Sequence, residues 1–92
     1  MEDKLLYKIH ITGQVQGVGF RWNAANEARK RGINGSVKNL SDGRVYIEAE
    51  GARRQLDDFV EWCKRGPLFS SVENVDVDSF QPSGYSEFRI EH

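Results

Sequence analysis

Residues 5–21, Leu5-Leu6-Tyr7-Lys8-Ile9-His10-Ile11-Thr12-Gly13-Gln14-Val15-Gln16-Gly17-Val18-Gly19-Phe20-Arg21, run from a strand pattern through a glycine-spaced turn into a helix pattern. Leu5, Tyr7, Ile9 and Ile11 alternate with Leu6, Lys8, His10 and Thr12, the period of a strand with one buried face. His10 falls on the other face and reads as a sheet-surface histidine. From Phe20 to Arg31 there is neither Gly nor Pro, Phe20, Ala24 and Ala28 share one helical stripe, and Gly32 ends the run. The basic cluster Arg29-Lys30-Arg31 lies in the last turn, where positive charge complements the helix dipole.

Outward from this stretch, Gly35 to Asn39 reads as a short second strand, and Leu40-Ser41-Asp42-Gly43 as a hairpin connection with Asp-Gly turn chemistry. Val45, Ile47 and Ala49 alternate with Arg44, Tyr46, Glu48 and Glu50, predicting a third strand with an exposed, partly acidic face. After Gly51, Leu56, Phe59, Val60 and Cys63 form the buried stripe of a second helix, with Trp62 off the stripe at a helix edge. Gly66-Pro67 ends that helix. Strands are expected around Val72 to Asp78 and Ser86 to Ile90, joined by the turn-rich Gln81-Pro82-Ser83-Gly84. The order strand, helix, strand, strand, helix, strand predicts an α+β, ferredoxin-like split βαβ sandwich: a mostly antiparallel sheet with two helices on one face.

That topology has a consequence for chemistry. The first two strands run parallel through a right-handed crossover, with the third between them, so their C-terminal ends share one edge. The glycine turn follows the first strand and Asn39 closes the second, two strand spacings away, roughly 9 to 10 Å. Glycines admit positive φ, so the amides of Gln16, Gly17, Val18, Gly19 and Phe20 can converge on an anion before the helix N-terminus. Arg21 adds a planar, always charged fork suited to phosphate oxygens. Two phosphate loops are excluded by residue type: a dinucleotide loop needs glycine where Trp22 stands, and a triphosphate loop needs Lys followed by Ser or Thr. A tyrosine-phosphatase nucleophile would stand where this chain has Val15.

Composition bounds the partners. Ninety-two residues make one domain, 1–92, with no internal repeat or linker. Thirteen basic and fourteen acidic side chains nearly cancel, so the charge balance points to neither nucleic acid nor an anionic membrane. The single cysteine, Cys63, forms no internal disulfide and reads as core filling, which favours a reducing compartment. Glu2, Asp3 and Lys4 give a charged start, and no apolar run reaches membrane-spanning length. The expectation is a cytoplasmic chain, mature as written.

Val15-Gln16-Gly17-Val18-Gly19-Phe20-Arg21 resembles the first signature of the acylphosphatases, and Gly35-Ser36-Val37-Lys38-Asn39, followed by Gly43, Val45 and Gly51, resembles the second. Gly66-Pro67 and Phe88-Arg89-Ile90 extend the resemblance over nearly the whole chain. One departure is Ser36, where the family usually carries an aromatic residue, a change that bears on packing beside the site. The resemblance implies metal-free hydrolysis of carboxyl-phosphate bonds by a monomer without cofactor. Arg21 and Asn39 are then catalytic, Gln16 to Phe20 hold the substrate, and inorganic phosphate or sulfate competes for the same loop.

The residues themselves point the same way. Backbone amides, a guanidinium and a carboxamide supply no matched acid and base, no activated nucleophile and no metal-ligand cluster. Alkoxide leaving groups of ordinary phosphate esters need a proton or a metal. A carboxylate leaves unaided, so positioning and charge stabilisation suffice for an acyl phosphate. Asn39, able to donate and accept, would hold the attacking water. Neither His10 nor His92 falls in the motif, and turnover is expected to survive replacement of both. Acetyl phosphate, carbamoyl phosphate, 1,3-bisphosphoglycerate and protein aspartyl phosphate share the reacting group, so the sequence defines a substrate class.

Three other readings stand beside this one. An RNA-binding module shares the framework but needs aromatic and basic central strands, where this chain has Tyr46 between Arg44 and Glu48. A phosphate-sensing module would keep the cradle without turnover. The third is a relative of the acylphosphatase-like domains in hydrogenase-maturation carbamoyltransferases, which belong to much longer chains.

Overall fold

The structure, a computed structural model, describes residues 3–92. In chain order it has β1 (Lys4–Gln14), α1 (Phe20–Lys30), β2 (Asn34–Asn39), β3 (Val45–Ala52), α2 (Arg53–Arg65), β4 (Ser71–Phe80) and β5 (Phe88–Ile90). The sheet order is β4-β1-β3-β2-β5. β1 is antiparallel to β3 and β4, β3 is antiparallel to β2, and β2 and β5 are parallel. β1 and β2 thus point the same way with β3 between them, as the split βαβ pattern requires.

The core lies between this sheet and the two helices. Tyr7, Ile9 and Ile11 of β1 and Val45, Ile47 and Ala49 of β3 supply its sheet side. Phe20, Ala24, Ala25 and Ala28 form the buried face of α1, where the small side chains bring the helix axis close to the strands. The buried face of α2 includes Leu56, Phe59, Val60 and Cys63. Cys63 is fully buried, and desolvation pushes its thiol far up from the ordinary value, so it is core filling without nucleophilic character.

Three side chains depart from the pattern read in sequence, the first being Leu6, expected opposite the buried face and itself buried. Trp62 does not edge the helix: it is buried, stacked on Phe59 at 6.0 Å and tilted against Phe20 at 5.6 Å. An indole reaches across more than one helical row, so a stripe drawn on Cα positions underrates it. Glu50 is not exposed either. Its carboxylate accepts the amides of Ser83, Gly84 and Tyr85 at 2.6, 3.0 and 2.9 Å, which anchors the connection carrying the chain from the β4 edge to the β5 edge.

The basic cluster also has structural work. Arg29 donates to the Phe88 carbonyl at 2.7 Å, tying α1 to β5, and Arg31 joins Glu27 on its own helix to Asp58 on α2. On the face away from the helices, Glu48 accepts the hydroxyls of Tyr46 and Tyr85, each at 2.6 Å, and the His10 ring lies 4.7 Å from that of Tyr46. Ser36 is buried in this layer, with its hydroxyl beside that of Tyr85.

Candidate active site

The loop after β1 is pinned by Val15 and Val18. At Gly13 the β1–β4 register shifts, and a side chain there would collide with the Ser71 carbonyl. Val15 is buried and Val18 packs on the core, whereas Gly17 and Gly19 between and beyond them turn with φ of 76° and 75°. Space does not demand glycine at position 17, since a Cβ there would meet nothing, but the left-handed conformation does. Gly19 then caps α1, its carbonyl accepting both the amide and the side-chain nitrogen of Asn23.

Gln16 fixes this loop to the other half of the site. Its Nε2 donates to the carbonyls of Leu40 and Arg44 at 2.8 and 2.9 Å, the two ends of the turn that follows Asn39. That turn is closed by the Leu40 amide on the Arg44 carbonyl and by Asp42, which accepts the Arg44 amide and guanidinium. Those bonds from Arg44 hold the Asp42 carboxyl below its ordinary range. One carboxamide therefore sets the distance between the loop and the end of β2.

Between them lies a cleft of ≈ 240 Å³ lined by residues that include Gly17, Gly19, Phe20, Arg21 and Asn39. Five of the seven residues expected at the site thus share one cavity. Gln16 and Val18 are not among its lining side chains: the first holds the hairpin and the second packs inward. Among the described residues, Gly17 and Val18 make no hydrogen bond to protein, and neither does the Asn39 carboxamide. The first-turn amides of α1 have no intrahelical acceptor by geometry. Arg21 is half-buried and held from one side by an Nη1 bond to the Glu91 carbonyl at 2.8 Å. This is a donor set suited to a tetrahedral oxyanion.

Trp22, Ile90 and His92 also line the cleft; the sequence assigns no site role to Trp22 or Ile90, and His92, read as outside the motif, is brought to the cleft by the fold. Ile90 and His92 arrive because β5 pairs in parallel with β2, Val37 facing Ile90, so the chain leaves β5 toward Asn39. No local pattern announces that pairing. The signal for Trp22 was present, a large apolar residue off the buried stripe of its helix. The lining includes no Ser, Thr, Cys, Asp or Glu, and among the described residues no three metal-ligating side chains cluster.

A family model described as Acylphosphatase matches residues 7–90. The chain belongs to the acylphosphatase family. It is 44% identical over 84 residues to an acylphosphatase of Anaeromyxobacter dehalogenans, covering 91% of this chain and 90% of that protein. The crystal structure of the acylphosphatase from Bacillus subtilis matches with a TM-score of 0.94 at 45% identity, over 96% of this chain and 99% of that one. A full-length HypF in its phosphate- and nucleotide-bound form matches with a TM-score of 0.88 at 29% identity, over 100% of this chain and 12% of that one. Acylphosphatase relatives of matching length accord with the split βαβ reading of the strand and helix order.

Proposed function

We propose that this chain hydrolyses acyl phosphates to a carboxylate and inorganic phosphate, with Arg21 and Asn39 as its catalytic residues. The observation that carries the reading is the meeting of Arg21, the glycine loop and Asn39 around one small cleft whose lining offers no side-chain nucleophile from Ser, Thr or Cys. Arg21 and the amides of Gln16 to Phe20 hold the phosphoryl oxygens. Asn39 orients a water, whose oxygen attacks phosphorus as the bond from phosphorus to the acyl oxygen breaks. The electron pair departs with the carboxylate, and the water's protons remain on the phosphate product or pass to solvent. Inorganic phosphate or sulfate, which presents the same oxygens, competes for the loop.

The chain acts as a single domain and a monomer, in the cytoplasm. The one cysteine, buried and unpaired, supports the compartment. The test is a side-by-side rate on benzoyl phosphate and a stable phosphomonoester with excess chelator. Turnover of the acyl phosphate alone is expected. Comparable rates on both, or loss of activity to the chelator, would overturn the positioning mechanism.

A further inference from the structure

The residues lining the cleft are of two chemical kinds. Gly17, Gly19, Arg21 and Asn39 are those assigned to phosphate and water, whereas Val15, Phe20, Trp22 and Ile90 are apolar, with the His92 imidazole completing the lining. Phe20 is spent on the core and Ile90 is partly buried against it, but Trp22 is 63% exposed. Single exposed apolar side chains are ordinary and by themselves mean nothing. Leu68 and Phe69 are more exposed, at 79% and 83%, yet neither lines this cleft. What sets Trp22 apart is its place. It follows Arg21 directly in the first turn of α1, with Cα atoms about 3.8 Å apart, and among the described residues its ring engages no other aromatic ring or cation.

Building on the acyl phosphate reading above, we propose that Trp22 is the specificity determinant for the acyl side of the substrate. Its indole face receives a planar, apolar acyl group while Arg21 and the glycine loop hold the phosphate, so the preferred substrates are aromatic acyl phosphates. The cleft volume of ≈ 240 Å³ agrees with a substrate of that modest size, below the roughly 300–1,000 Å³ of pockets for drug-sized ligands. An acetyl or carbamoyl group is too small to cover the ring and gains little from it.

The experiment compares kcat/KM for benzoyl phosphate and acetyl phosphate in the wild type, Trp22→Ala, Trp22→Gln and Trp22→Phe, with the phosphate inhibition constant measured for each. Removing the ring is expected to lower benzoyl phosphate kcat/KM about five- to tenfold, chiefly through KM, the size of one aromatic contact. Acetyl phosphate should lose no more than about twofold, and Trp22→Phe should restore most of the benzoyl preference. Trp22→Gln, a good helix former at an exposed site, carries the test if the alanine variant folds poorly. Equal losses on both substrates, or an unchanged benzoyl phosphate KM, overturn the assignment while leaving the acyl phosphate reading intact. A wild type that hydrolyses neither substrate overturns both.

Discussion

Two turns of this molecule differ in whether the protein supplies an acceptor for their amides. At one end of the sheet, the amides of Ser83, Gly84 and Tyr85 close on the Glu50 carboxylate. At the other, the bends of residues 16–19 leave Gly17 and Val18 without a hydrogen-bond partner among the described residues, beside Arg21 and Asn39. The register sets their separation: Glu50 faces Asn34 and Val45 faces Asn39 on the same strand pair, five residues or about 17 Å apart. An amide cluster that meets a buried carboxylate holds a connection in place. The same kind of cluster at a cleft, next to an arginine, can take an anion from solution. The partner each turn meets, and not the turn itself, divides structure from function.

The sharpest way to break this comparison is at the cleft. Asn39→Ala is expected to lower kcat roughly a hundredfold or more, the penalty of a misplaced reactant, with the phosphate inhibition constant nearly unchanged. Arg21→Ala should weaken turnover and phosphate binding together, and Arg21→Lys should repair little, because a point charge replaces a bidentate fork. If Asn39→Ala lost phosphate affinity as badly as Arg21→Ala, the division between water and phosphate would be wrong.

The structural turn should give the inverse signature. Glu50→Ala leaves three amides without their acceptor and is expected to cost about 2–4 kcal/mol of stability in a denaturant titration. The kcat of the folded fraction should hold. A variant of wild-type stability but impaired kcat would show that the two ends are not independent.

Ligand linkage comes next in size. Phosphate at one hundred times its dissociation constant should stabilise the fold by about 2.7 kcal/mol, read as a rise in Tm at constant ionic strength. The rise should persist in Glu50→Ala and vanish in Arg21→Ala. A Tm indifferent to phosphate would remove the contrast between the two turns.

The smallest effect concerns a second carboxylate, Glu48, which meets the Glu50-bound connection only through the Tyr85 hydroxyl. Burial alone would raise the Glu48 carboxyl, but the hydroxyls of Tyr46 and Tyr85, with Lys8 and Lys38 nearby, hold it below its ordinary value. A depressed folded value means stability present above the unfolded value, about 4.3 for Glu, and lost as pH falls through the folded one. Glu48→Gln should therefore flatten the acid limb of a stability–pH curve without altering kcat. An unchanged limb would show that Glu48 contributes nothing there.

Much of the fold was legible because it rests on local periodicity. The alternation from Leu5 to Thr12 and the stripe Leu56, Phe59, Val60 and Cys63 each follow from one face meeting a core. Boundaries moved by a few residues, as in β4, expected over Val72 to Asp78 and found over Ser71–Phe80. Arg21 and Asn39 were legible for another reason: the topology that periodicity implied already put the ends of β1 and β2 at one edge.

The sequence by itself determined the element order, the glycine conformations at 17 and 19, and the residue types offered to an anion, because each depends on backbone stereochemistry or on near neighbours in the chain. Only the tertiary structure decided that Glu50 is covered by a connection 33 residues away, that Gln16 spans to the hairpin, and that β5 brings Ile90 and His92 to the cleft. Those outcomes depend on which unpaired groups meet once the sheet is assembled. A carboxylate or a carboxamide takes the same place in a sequence pattern whether it faces water or an amide, and burial alone tells the two apart.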